Sequence, residues 1–151
     1  MSSAVRVFAP AQEIGEVGGI KLVLLTAEVL DDLTAVRFYC PRNARTRALN
    51  DEYERQMQDF AERRRRGETS GPLPDSPVHT LFAGNGLQRS VTLDDGCGTE
   101  FSYHSGQTGG LGEWLVEAKF VGVPAQQARD LTVSVAVPGG ETLSARVALQ
   151  G

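Results

Sequence analysis

One turn contains most of the residues of this sequence that could do chemistry. Residues 94–99 read Asp-Asp-Gly-Cys-Gly-Thr, and the adjacent carboxylates of Asp94 and Asp95 could hold a divalent cation through hard oxygen ligands. His104 could add a nitrogen ligand. The EF-hand spacing, with oxygens at alternate positions and a closing glutamate, is absent. Because Asp side chains bond nearby backbone in turns, we expect a strand-connecting turn, with a metal or small-molecule site at these residues as the alternative.

Cys97 in the same turn could act as a nucleophile if His79 or His104 served as its base. No third residue that would orient such a base is indicated, so a plain turn thiol is the simpler interpretation. With Cys40, the chain has two cysteines, which neither complete a zinc site alone nor build a disulfide framework. We expect two free thiols, no enzymatic activity and no cofactor.

Residues 50–66 form a strongly charged segment with the spacing of an amphipathic helix. Asn50 is placed to cap the first amides, and Gly67 is placed to end the helix in a left-handed conformation. The apolar side chains recur on one narrow stripe, which suits a helix on the rim of a larger body. The members of this stripe are Tyr53, Met57, Phe60 and Ala61.

The same helix ends in four consecutive arginines: Arg63, Arg64, Arg65 and Arg66. They could bind phosphates or an acidic partner, or they could be a solvated helix end that complements the helix dipole. The net charge of the chain is −4, whereas a general nucleic-acid binder presents a basic field. If the arginines bind anything, we expect a protein partner rather than nucleic acid.

The rest of the chain is dominated by the period-two alternation of half-buried strands. It is clearest from Leu131 to Val137 and from Leu143 to Leu149, on either side of a Pro-Gly-Gly turn. The segment from Ile20 to Leu30 is apolar on both faces, as a central strand is. Weaker patterns predict strands over residues 5–8, 33–40, 78–82, 87–93, 99–104 and 113–121, with a hairpin loop at 105–112.

These elements predict a mainly β protein: an antiparallel two-sheet sandwich of about eight strands with one inserted α-helix. At 151 residues the chain has the usual size of one domain, and residues 43–77 form its insertion. The longest apolar run, Leu22 to Leu25, is far too short to span a bilayer. The first residues lack the pattern of a secretory signal. We therefore expect a cytoplasmic protein that does not contact a membrane.

The order of these features resembles immunoglobulin-like β-sandwich domains of unknown function from high-GC Gram-positive bacteria. A glycine turn leads into a leucine-rich strand ending at Glu28, a paired-aspartate turn follows, and the next strand contains Val36-Arg37-Phe38. The turn at 94–99, a glycine-rich loop and a lead-in at 124–131 complete the likeness. The resemblance implies a sandwich of bacterial origin and transfers no catalytic residue. The charged helix departs from the simple sandwich.

The sequence thus favours a non-enzymatic module that contacts a protein partner or another copy through its long insertion. The candidate contact residues are Tyr53, Met57, Phe60 and the arginines at 63–66. The alternative function is binding of a metal or small molecule at Asp94, Asp95 and His104.

Overall fold

The computed structural model describes residues 5–68, 71–83, 90–108 and 114–150. This part of the chain contains nine strands, one α-helix and one short 3₁₀ helix. In chain order they are β1 (Arg6–Phe8), β2 (Gln12–Val17), β3 (Ile20–Val29), β4 (Leu33–Tyr39), α1 (Ala44–Arg65), the 3₁₀ helix (Pro77–Leu81), β5 (Val91–Asp94), β6 (Ser102–Thr108), β7 (Leu115–Val121), β8 (Asp130–Ala136) and β9 (Thr142–Ala148).

The strands form two antiparallel sheets. The larger sheet has the order β1-β3-β4-β7-β6, with β2 also paired to β3, and the smaller sheet has the order β5-β8-β9. Phe8 of β1 lies opposite Ala27, whereas Gln12 of β2 lies opposite Leu24, so β1 and β2 occupy successive parts of one edge. The nine described strands therefore fill eight positions. The prediction of a mainly β, two-sheet protein of about eight strands with one helix is confirmed.

One hydrophobic core lies between the two sheets. On β7, Val116, Ala118 and Phe120 are buried, and on β8 the buried residues are Leu131, Val133 and Val135. Both sets belong to a single cluster of buried side chains. Because alternate residues of a strand point to opposite faces, this period-two pattern turns one face of each sheet inward and leaves the other face outside.

Strand order is a separate matter from the sandwich architecture. In immunoglobulin sandwiches the second and third strands lie in opposite sheets. Here β1 and β2 together occupy the position of a first strand, so β3 and β4 count as the second and third strands. These two strands pair with each other in the same sheet. The resemblance to immunoglobulin-like domains therefore stays a prediction, whereas the two-sheet architecture is observed.

The helix begins earlier than the sequence suggested. Asn43, not Asn50, is the N-cap: its side chain accepts a hydrogen bond from Thr46 N at 2.9 Å, and the Thr46 hydroxyl accepts one from Asn43 N. The predicted start at Asn50 was wrong, because the stretch from Ala44 to Leu49 is also helical. As a result, no acidic residue lies in the first turn of the helix.

Other boundaries also differ. A strand was predicted over residues 78–82, but residues 77–81 form a 3₁₀ helix, because a proline opens the segment and hydrogen bonds close over three residues. Residues 105–108 of the predicted hairpin loop continue β6, and residues 109–113 lie outside the described part. Of the strand predicted over 87–93, residues 87–89 lie outside the described part and β5 begins at residue 91, and the strand predicted over 99–104 begins at residue 102. The sequence missed β2, whose charged residues and glycine hide its two core contacts, Ile14 and Val17.

Candidate functional site

The sandwich has two ends that differ in construction. The first, here called the Asp95 end, consists of residues 30–32, 94–99 and 122–129, which connect strands. The second, called the helix end, consists of the β2–β3 turn, residues 40–50 and Trp114. The strand directions place these groups at opposite ends, since β3 and β7 both run from the helix end to the Asp95 end and β4 runs back between them. The predicted metal site lies at one end and the predicted partner surface at the other.

Asp95 is the centre of the Asp95 end. Its side chain is buried, with 4% of its surface exposed. Oδ1 accepts hydrogen bonds from Cys97 N at 2.9 Å and Thr99 N at 3.4 Å. Oδ2 accepts from Ala125 N at 2.9 Å and from the Thr99 hydroxyl. One carboxylate therefore ties the β5–β6 turn to the connection between β7 and β8.

These hydrogen bonds determine the ionisation of Asp95. Burial raises the pKa of the carboxyl, but the donors from Ala125, Thr99 and Cys97 outweigh it and lower the pKa from 3.8 to about 2. A carboxylate has about four lone-pair sites, and four donors occupy them here. Asp95 therefore acts as a structural anchor, with its oxygens already engaged by the protein.

The other members of the predicted metal site make local contacts. Asp94 is exposed, and its Oδ1 accepts a hydrogen bond from Gly96 N at 2.8 Å. His104 is exposed on β6, where a bulge between Tyr103 and Ser105 interrupts the register, and its Nδ1 lies 3.0 Å from the Ser105 hydroxyl. Within the described ranges, no three His, Cys, Asp or Glu side chains form a group that could hold a metal ion. The metal-site hypothesis stays a prediction.

The two cysteines are free and lie in different surroundings. Cys97 is exposed in the turn, and Cys40 is fully buried just after β4. Burial raises the pKa of the Cys40 thiol to about 12, which disfavours the thiolate that reacts as a nucleophile. His79, a base considered for Cys97, lies exposed on the 3₁₀ helix.

A glycine completes the Asp95 end. Gly122 has a φ of +126°, its N–H donates to Asp32 O at 2.9 Å, and its carbonyl accepts from the Thr34 hydroxyl at 2.8 Å. A Cβ at this position would approach Glu100 O to 2.7 Å, a backbone atom with no easy way to move. Only glycine therefore fits this junction between the two sheet connections.

The first two turns of α1 belong to the body of the protein. Asn43 Nδ2 donates to Gly19 O at 2.9 Å in the β2–β3 turn. Thr46 is buried, and Leu49 packs against the hydrophobic core. Trp114 Nε1 donates to Asn50 Oδ1 at 3.1 Å, which links the helix to the start of β7. These contacts explain why the helix is fixed at its start.

Beyond Asn50 the helix has a different character. Tyr53, Met57 and Phe60 are half-buried on one side, and they continue the line that Thr46 and Asn50 begin. The predicted stripe is therefore present except for Ala61, which is exposed. The 3₁₀ helix, whose buried Val78 and Leu81 enter the core, is the main neighbour of α1 among the described helices and strands.

The arginine-rich end of α1 closes as the sequence predicted. Gly67 has a φ of +78°, its N–H donates to Arg64 O at 3.1 Å, and Glu68 N donates to Arg63 O at 3.1 Å. These two bonds form a Schellman motif. Arg63 is half-buried and pairs with Asp59 at 3.1 Å. The next three arginines, Arg64, Arg65 and Arg66, are exposed.

Comparisons with known protein families, with curated proteins and with solved structures find no match to this chain. No helix among the described residues combines the length and apolar character needed to cross a membrane. The features that define this protein are therefore its two-sheet fold, the anchored Asp95 end and the helix that leaves the opposite end.

Two important residues escaped sequence reasoning. Trp114 is buried, and its bond to Asn50 across 64 positions has no sequence signal. The role of Asp95 was half visible, because the aspartate-glycine turn was recognised. Its longest-range donor, Ala125 N, comes from a backbone amide, which every residue but proline carries.

Proposed function

We propose that this protein is a non-enzymatic interaction module, and that the distal part of α1, from Tyr53 to Arg66, is its protein-docking element. The observation that carries this proposal is the contrast within one helix. The first two turns are fixed to the core through Thr46, Leu49 and Asn50, whereas three large side chains of the distal turns are only partly buried and lie outside the core cluster. Half-covered Tyr, Met and Phe side chains are the kind that protein interfaces use.

The charges of the distal helix indicate the kind of partner. Arg64, Arg65 and Arg66 are exposed at its end and form no ion pair within the described ranges, in a chain of net charge −4. An acidic surface on the partner would complement this local basic group, and charge complementarity accelerates encounter and favours the correct partner. The apolar stripe would supply the buried contact and the arginines its polar rim.

The anchored start of α1 also supports a docking role. A helix that is held rigidly at one end presents its distal side chains in one arrangement, so a partner does not have to order them. The Schellman closure at Gly67 keeps the arginine-rich turn helical to its end. The distal helix is therefore already in a conformation suited to helix-in-groove recognition.

A diazirine analogue of methionine tests this proposal with little disturbance. The chain has two methionines, Met1 and Met57, so incorporation in place of methionine puts the photo-reactive group on the stripe and at the N-terminus alone. Illumination of cells that make the protein should cross-link position 57 to another protein chain. The matched control is Met57→Leu, which keeps the helix and leaves the reactive group only at position 1.

A second variant separates charge from shape. Replacing Arg64, Arg65 and Arg66 with glutamine retains helix propensity and removes the basic group, so the adduct at position 57 should weaken while the melting temperature stays unchanged. Cross-linking that is equal in the parent and in Met57→Leu, or absent from both, would contradict the proposal.

A further inference from the structure

The outer face of the larger sheet, turned away from the core, carries an unusual share of exposed apolar side chains. Among the described residues five large hydrophobic side chains are exposed, and the strand register places three of them on this face: Val7 at 58%, Leu115 at 38% and Val121 at 46%. The outer face of the smaller sheet instead presents Thr132, Ser134 and Ser144. Leu115 and Val121 lie at the two ends of β7 and Val7 lies on edge strand β1, so the apolar side chains frame this face instead of forming one patch.

Charged residues fill the centre of this face, and their charges cancel. Arg37 Nε lies 2.9 Å from a carboxylate oxygen of Glu117 and 3.4 Å from one of Glu28. Lys119 Nζ lies 3.6 Å from the other oxygen of Glu117. Two acids and two bases give this cluster zero net charge in a chain of net charge −4. A second copy can therefore approach here without the repulsion that the whole chain would produce.

The order of these residues along β7 is self-complementary. The outward positions of β7 read Leu115, Glu117, Lys119 and Val121. When β7 is followed in the reverse direction, apolar residues again lie at both ends, and the acid and the base exchange places. A two-fold axis that lies in the plane of the face and runs perpendicular to the strands would relate the two copies. Rotation about this axis would place Leu115 of one copy opposite Val121 of the second copy. The same rotation would place Glu117 opposite Lys119 of the second copy.

The neighbouring strand fits the same rotation. On β4 the outward positions are Leu33, Ala35, Arg37 and Tyr39, in register with β7. The rotation would place Leu33 opposite Tyr39 of the second copy, which pairs two apolar residues. Arg37 would lie over Ala35 of the second copy, which is itself only 1% exposed and adds little contact of its own. Two adjacent strands thus satisfy one symmetry operation.

We propose that two copies of this chain associate face to face through the outer face of the larger sheet, β7 on β7, about a two-fold axis across the strands. Such an isologous contact is the most common way in which identical chains pair. Sheets pack about 10 Å apart with strands nearly aligned, which suits the side-chain lengths involved. This surface is distinct from the distal helix, so both contacts can operate in one assembly.

The area of the face indicates how strong the association of two copies can be. Five strand positions at about 4.8 Å spacing and seven residues of length cover roughly 400 Å² on each copy. Both copies together would bury roughly 800 Å², below the range of about 1,200–2,000 Å² for stable specific complexes, so the dimer is a weak, concentration-dependent association. The dimer should therefore appear as a shift between monomer and dimer over an accessible concentration range.

Charge reversal on β7 tests the proposal. Sedimentation velocity across a wide range of concentration should show a monomer–dimer equilibrium for the parent chain. Glu117→Lys and Lys119→Glu should each weaken self-association at least about tenfold, because both symmetric contacts then join like charges. An equimolar mixture of the two variants should form a heterodimer, because both contacts again join opposite charges. The double variant should recover self-association.

Two further variants keep the test independent of folding. Val121→Glu changes an exposed residue and should abolish the dimer with an unchanged melting temperature. Replacing Arg64, Arg65 and Arg66 with glutamine should leave the dimer intact, since the helix takes no part in it. A parent chain that is monomeric throughout the range, or a mixture that fails to associate although both variants melt normally, would overturn the proposal.

Discussion

The two ends of the sandwich connect their strands in opposite ways. At the Asp95 end, short connections are bound to each other through Asp95, Gly122 and Thr34. At the helix end, the chain leaves β4 at Tyr39 and returns to β5 at Val91, and in between it forms a helix of 22 residues. One end closes the fold, and the other extends it beyond the sheets.

This difference shows where the sequence is free to change. A buried carboxylate with four donors cannot be replaced without leaving some of them unpaired, and an unpaired buried donor costs about 1–3 kcal/mol. The distal helix has no comparable requirement, because its surface is mostly in water. We therefore expect substitutions at the Asp95 end to lower the stability of the fold, whereas substitutions in the proposed docking element, beyond the first two turns of α1, should change it little.

The largest expected effect is at the Asp95 end. Asp95→Asn keeps the size of the side chain but turns an acceptor into a donor that faces donors, and it removes the charge that strengthens the bonds. We expect a loss of about 3 kcal/mol in the free energy of unfolding, or roughly 6–12 °C in melting temperature. Asp94→Asn is the matched control, since exposed Asp94 accepts one local bond and should cost less than about 1 kcal/mol. Equal losses in both variants would disprove the anchoring role.

Low pH tests the same anchoring role of Asp95, because it protonates the carboxylate. The folded pKa of about 2 lies below the ordinary 3.8, so the ionised carboxylate stabilises the fold fully above about pH 4. This stabilisation disappears as the pH falls from about 4 to about 2. It amounts to at most about 2 kcal/mol, and to less where water screens the turn.

Urea denaturation of the parent chain and of Asp95→Asn at several pH values isolates this contribution from other acids. The difference between the two free energies of unfolding should shrink below pH 4. A difference that stays constant down to about pH 2 would mean that Asp95 keeps an ordinary pKa in the folded protein.

Matched side-chain truncations can locate the point along α1 beyond which the helix contributes little to the stability of the fold. Leu49→Ala removes a side chain that packs on the core and should cost about 2 kcal/mol. Met57→Ala, two turns later, should cost less than about 1 kcal/mol, because its side chain is only half-covered and alanine is a good helix former. Thermal melts of the two variants compare them directly. A larger loss for Met57→Ala would show that the stripe stabilises the fold and weaken its assignment as a docking surface.

The fold was predictable where alternation is strong. The strands from Leu131 to Leu149 and the buried positions of β7 were read from period two alone, because one face of each strand lies in a single core. β2 was missed because it is an edge strand with a bulge between Glu13 and Gly15, which interrupts the alternation. The start of α1 was missed because its cap, an asparagine with a threonine three residues later, resembles any polar stretch.

The sites depended on contacts that no local pattern encodes. The stripe of Tyr53, Met57 and Phe60 follows from helical spacing and was predicted. The self-complementary face depends on which strand lies beside which, since Arg37 and Glu117 are 80 positions apart in the sequence and meet only through the pairing of β4 with β7. Spacing can identify one element, but a surface composed of several strands requires the topology.

The smallest expected effect separates the two interpretations of the turn at 94–99. Calcium or magnesium that bound the folded protein would raise its melting temperature, because a ligand that prefers the folded state stabilises it. Four protein donors already fill the lone-pair sites of Asp95, so a cation would have to break these bonds to enter. We therefore expect no change in the melting temperature at millimolar calcium or magnesium. A rise that disappears in Asp94→Asn would show that the exposed carboxylate recruits a cation after all, and the Asp95 end would then be a binding site as well as an anchor.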